Sequence, residues 1–110
     1  MPNKTRKEQL EALLADDPDD PFLQYGLAME CIREGQDEEA VRRFRALLAT
    51  APVYVPGYLQ AGQALIRLSR DEEAREILRK GVAVARSQGD QHAGDEMQGF
   101  LDNLGDVPPA

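Results

Sequence analysis

Apolar residues in this chain recur at three- and four-residue spacing in short runs, each closed by Asp, Gly, Pro or Ser before the next begins. Leu10, Leu13 and Leu14 form the first apolar face. With Thr5 and Glu8 as a capping box, the spacing predicts a helix over about residues 5–15. The segment ADDPDDP ends it, and Asp20 followed by Pro21 supplies an N-cap and a preorganised first residue for a second helix, about 21–34. That helix turns Leu23, Leu27, Ala28, Cys31 and Ile32 inward and stops at Gly35, where a left-handed residue is wanted. A third helix, about 37–50, carries Asp37, Glu38 and Glu39 at the positive end of its dipole and buries Ala40, Val41, Phe44, Leu47 and Leu48. Pro56 opens a fourth, about 55–68, with Tyr58, Ala61, Gly62 and Leu65 on its inner face. Ser69 and Glu72 form a second capping box before a fifth, about 71–86, which buries Ala74, Ile77, Leu78, Gly81 and Val82.

The runs repeat. A step of 34 residues carries Ala40 onto Ala74, Phe44 onto Leu78, and Asp37-Glu38-Glu39 onto Asp71-Glu72-Glu73; the same step backwards carries Leu47 onto Leu13 and Pro52 onto Pro18. A period of this size marks a repeat array whose units bury their faces only by stacking. Gly81 stands one period after Leu47 and is expected to thin the packing there. The last helix, about 90–104 with Asp90 as N-cap, breaks the step. A strict period would bury Asp95 and Glu96, whereas Ala93, Met97, Leu101 and Leu104 make a proper stripe, so about two extra residues are expected in the preceding turn. Residues 105–110 are expected to be a loose tail.

Composition narrows the function. The chain of 110 residues is 42% hydrophobic, enough for one domain with a core. Its net charge of −7 opposes nucleic-acid or anionic-membrane binding, which need a basic surface. No apolar run approaches the roughly 20 residues that span a bilayer, and no secretory or myristoylation pattern stands at the start, so the cytoplasm is the expected compartment. Cys31, the single cysteine, falls at a buried helical position and cannot form an internal disulfide.

Tyr58, Ala61-Gly62, Leu65, Ala74, Leu78 and Gly81, with Leu27-Ala28, Gly35, Ala40, Phe44, Leu47 and Pro52 one period earlier, resemble a tetratricopeptide repeat. The match covers about residues 6–104, with two full repeats flanked by half-repeats. Gln24, Cys31 and Arg86 depart from the family pattern, standing where tryptophan, tyrosine and the closing proline are usual. The resemblance implies an all-α solenoid of antiparallel helix hairpins, about six helices in one domain. It also implies an interaction scaffold, in which the first helices of successive hairpins line a concave groove for a peptide or a partner's helix.

Those helices present Tyr25, Met29, Ile32 and Arg33, and one period on Leu59, Gln63, Ile66 and Arg67. This is an amphipathic face with two cationic rungs, of residue types suited to interfaces. Met97 and Phe100 would extend the wall. The lysines and asparagines of a carboxylate clamp are missing from these positions. The plainer alternative is that Met29 and Ile32 pack in the core and that the arginines are solvated helix-end residues. A second functional reading is self-association into a homodimer through an exposed Tyr25, Met29 and Leu59 patch.

Chemistry has little to stand on. His92 is the only histidine, and capping and solvent exposure account for Asp90, Asp95 and Glu96 beside it. DPDDP lacks the glycine and distal glutamate of a calcium loop, and there is no phosphate-cradling glycine loop, no CxxC and no nucleophile paired with a base. The expectation is a non-catalytic protein-binding module with no cofactor and no metal.

Overall fold

The structure, a computed structural model, describes residues 4–105. It contains six helices, α1 (Arg6–Asp16), α2 (Pro21–Arg33), α3 (Asp37–Thr50), α4 (Val55–Arg67), α5 (Asp71–Ser87) and α6 (Gln91–Asn103), and no strand among the described residues. Each helix packs on the next, and α4 also touches α6. The result is a short rod of 59 × 28 × 20 Å, with a radius of gyration of 14.8 Å where a compact chain of about 100 residues has about 13 Å. No described helix is long and apolar enough to cross a membrane. The expected loose tail lies, beyond Gly105, outside the described residues.

Local chemistry sets the helix ends. The Thr5 hydroxyl accepts from the Glu8 amide at 3.1 Å while the Glu8 carboxylate accepts from the Thr5 amide at 3.0 Å, completing the capping box. Asp20 accepts from the amides of Phe22 and Leu23, and Asp90 from Ala93. Each such cap contributes about 1 kcal/mol. Helices α2, α4 and α5 close alike: the amides of Gln36, Arg70 and Asp90 reach back to the carbonyls of Cys31, Leu65 and Ala85 at 2.8, 2.9 and 2.8 Å. The residue before each amide is left-handed, Gly35 at φ 75°, Ser69 at φ 60° and Gly89 at φ 73°.

That geometry overturns the second capping box. An N-cap needs an extended backbone, and Ser69 is already committed to the left-handed closure of α4, so Arg70 is the N-cap of α5 and makes no side-chain cap bond. The Arg70 guanidinium instead grips Glu73 at 2.6 and 2.8 Å.

The core runs through α2 to α6, with Ala28, Ala40 and Ala74 fully buried where helices cross. At Gly62 a Cβ would stand 2.4 Å from Leu78 Cδ2, so only glycine admits that approach. Gly81 does not thin the packing. Met97 Sδ and Tyr58 Cβ would lie 2.5 and 2.6 Å from a Cβ there, so α6 and α4 fill the space that Leu47 fills one period earlier.

Helix α1 is the weakly held element. Leu10 is buried against Gly26, Leu14 is half-buried, and Leu13 is 53% exposed. Leu13 matches the buried Leu47, but no described helix lies outside α1 to cover it. This corrects the expected three-leucine face.

The change of register lies in a helix rather than a turn. α5 has 17 residues against 14 in α3, because Arg86 stands where proline would close the unit and the helix continues to Ser87 before Gly89 ends it. On α6 Met97 and Leu101 are buried while Asp95 and Glu96 are exposed. The two full hairpins share one further bond: Tyr58 Oη donates to the Pro52 carbonyl at 2.7 Å, and Gln24 Nε2, one period earlier, donates to the Pro18 carbonyl at 2.8 Å.

Candidate partner-binding groove

The eight expected contact residues lie on α2 and α4 at matching positions of the two hairpins. Tyr25, Met29, Ile32, Leu59 and Ile66 are half-buried, with one edge against the core and the other open. Gln63 is also half-buried, and Arg33 and Arg67 are exposed. Tyr25 is the most constrained, its ring centroid 5.9 Å from Phe44 and 5.5 Å from Tyr54, both tilted. Burial, then the neighbouring Tyr54, raises its pKa against the opposing hydrogen bond of Gln60. Burial likewise raises Tyr54 and Tyr58, so these hydroxyls act as neutral hydrogen-bonding groups.

The arginine rungs differ. Arg67 is held by Asp37 at the start of α3 through two bonds of 2.9 and 3.0 Å, a bidentate pair joining neighbouring helices. Arg33 and Arg6 both engage the same oxygen of Glu30, Arg6 Nε at 3.0 Å. Two guanidinium groups thus share one carboxylate.

Tyr25, Met29 and Arg33 converge with Arg6, Leu10, Phe22 and Gly26 on a cleft of about 220 Å³ between α1 and α2. Leu59, Gln63, Ile66, Arg67 and Ile32 are not among its walls. Phe22, absent from the expected contact residues, is 71% exposed at the mouth. The signal was present: positions 22, 25, 29 and 33 follow helical spacing along one face of α2. Leu10 and Arg6 were less accessible to such reasoning, since nothing local says which face of α1 meets α2.

Met97 does not extend the wall. It is fully buried against Gly81, and Phe100 is half-buried against the core. Tyr25, Met29 and Leu59 are likewise half-buried rather than an exposed patch; among the described residues the large apolar side chains most open to solvent are Phe22, Val53 and Leu13. Cys31 is fully buried, His92 is exposed in the first turn of α6, and no group of three or more His, Cys, Asp or Glu gathers among the described residues.

Helical hairpins stacked into an open rod define the class: an α-solenoid. No family model matches the chain. Among curated proteins, a TPR repeat-containing protein of Pseudomonas aeruginosa is 31% identical over 97 residues, which span 88% of this chain and 92% of the relative. A protein of Bordetella parapertussis with a known solution structure superposes with a TM-score of 0.81 at 31% identity, covering 94% of this chain and 90% of that one. The crystal structure of a tetratricopeptide repeat domain protein from Salinibacter ruber gives 0.74 at 31% identity, covering 81% and 99%. The chain therefore belongs to the tetratricopeptide-repeat family. Membership makes it, in general terms, a protein-interaction module of a family of generally non-catalytic scaffolds.

Proposed function

We propose that the face formed by α2 and α4 is a concave groove that binds a peptide or a helix of another protein in the cytoplasm, without catalysis. The observation that carries this reading is the repetition of half-buried side chains at equivalent positions of successive hairpins, Tyr25 with Leu59, Met29 with Gln63 and Ile32 with Ile66, all but Gln63 packed against the core. A side chain with one edge in the core is rigid, and its open edge offers contact area at little entropic loss on binding. Tyr25 and Gln63 add hydrogen-bonding groups, and Arg33 and Arg67 supply positive charge to a face of an otherwise acidic chain.

A photoreactive amino acid at Gln63, compared with one at Glu76 on α5, tests the assignment. A protein adduct is expected from position 63 and not from 76. Adducts from α5 alone would move the site to the other side of the rod. Self-association remains a distinct reading of the exposed Phe22 and Leu13, and sedimentation equilibrium of the purified chain separates it, since the groove reading expects a monomer.

A further inference from the structure

We propose that the cleft between α1 and α2 is the specificity pocket of this module, and that it selects a segment carrying a large apolar side chain with an acidic residue about two to five positions away. The inference rests on α2 being a binding face and says which part of it chooses the ligand. Three observations support it.

The first is charge. Arg6 and Arg33 have side chains 64% and 61% exposed, while the Glu30 carboxylate they share is only 12% exposed. One positive charge in excess therefore faces solvent at this end of the cleft, in a chain whose net charge is −7. A ligand carboxylate would complete an alternating network of two guanidinium groups and two carboxylates. Arg67 offers no comparable seat, because Asp37 already satisfies it bidentately.

The second is shape. About 220 Å³ is below the 300–1,000 Å³ of sites for small-molecule ligands and suits one bulky side chain. Gly26 and Leu10 line it in ordinary van der Waals reach of each other, with Met29 beside them.

The third is spacing. At 1.5 Å per helical residue, Phe22 lies about 16 Å and Met29 about 6 Å along α2 from Arg33. An extended segment rises about 3.3 Å per residue, so the apolar and acidic groups stand about two to five residues apart.

A phage-displayed random dodecapeptide library, panned against the full chain, provides the probes; enriched peptides are then synthesised with fluorescein and titrated by anisotropy. The expected result is peptides that share the apolar and acidic pair and bind less tightly as salt rises. Phe22→Ala and Arg33→Glu should each weaken them about tenfold or more, Arg33→Lys less, and Arg42→Ala, at an exposed position of α3, no more than about twofold. Circular dichroism verifies that the variants fold, and Phe22→Ala, at an exposed side chain, keeps the test valid if Arg33→Glu does not. Peptides that bind through Leu59, Gln63 or Ile66 and ignore Phe22 and Arg33 would overturn this proposal and leave the groove reading standing. No enrichment above a blank surface would overturn both. A dimer in sedimentation equilibrium whose formation Phe22→Ala abolishes would assign the cleft to a second copy and also overturn it.

Discussion

Gly81 and Gly99 show how differently one residue type can be used. A Cβ at Gly81 would overlap Met97 and Tyr58, whereas one at Gly99 meets nothing within 4 Å. Gly81→Ala is expected to destabilise by about 1–3 kcal/mol through overpacking, and Gly99→Ala to stabilise by about 0.5–1 kcal/mol through helix propensity, both read from urea midpoints. Gln24 is a second contrast. It makes the same bond to a proline carbonyl as Tyr58 but lines a half-open pocket of about 180 Å³, bordered also by Leu14, Leu27 and Arg43. Gln24 Oε1 and Arg43 Nε are buried there without a hydrogen-bond partner; Arg43 Nε lies 3.3 Å from Glu39 but is not aligned with it. Gln24→Tyr should fill the space, reach Pro18 as Tyr58 reaches Pro52, and raise stability by about 1 kcal/mol. A lower urea midpoint would show that the repeat relation does not extend to this packing.

Between elements, α3 and α5 are laced by exposed charges: Arg45 and Arg70 both meet Glu73, and Arg70 reaches Glu38. The Arg70 hydrogen bond is the main cause holding the Glu73 carboxyl below its ordinary 4.5; its charge and that of Arg45 add to it. Arg42 does the same for Glu39, and the Thr5 amide for Glu8. A carboxylate whose folded pKa is depressed contributes stability that is present above its unfolded pKa and lost as pH falls through the folded one. The chain should therefore lose stability as pH falls below about 4.5, and the tyrosines, whose folded pKa values are raised by burial, add a second loss only as pH rises past their ordinary 10. Arg70→Ala should let the Glu73 pKa climb back towards 4.5, which carboxyl carbon shifts in an NMR titration would follow. An unmoved Glu73 would mean that its neighbours do not set its charge.

Over the whole rod, contacts run mainly between neighbouring helices, with α4 reaching α6 as well, so stability is largely a sum of local and nearest-interface contributions. α1 has a neighbour on one side and a single buried residue, whereas α4 and α5 lie between partners. Hydrogen exchange is expected to be fastest in α1 and slowest in α4 and α5. Uniform protection along the chain would contradict this.

Most of the fold was legible because the 34-residue step fixes which faces meet: Ala28, Ala40, Phe44, Ala74 and Leu78 are buried as their periodicity requires. What escaped depends on distant neighbours. Ser69 reads as a cap until its left-handed backbone is seen, Gly81 reads as a gap until Met97 arrives from α6, and Leu13 reads as core until its outer side proves uncovered. The candidate site was half legible for the same reason. Arg33 and Arg67 look equivalent in sequence, and only the fold shows Asp37 on one and Glu30 shared with Arg6 on the other.

The missing proline at Arg86 bears on how such a chain can grow. Upstream of it, hairpins are interchangeable units, and a copy of residues 37–70 spliced in after Arg70 should give a longer rod that melts as cooperatively as the parent. Beyond it the beat is two residues out of step, which at about 100° per residue is more than half a turn of helix. Gene duplication could lengthen this array from within, but a standard unit added past that joint would meet α6 with the wrong side.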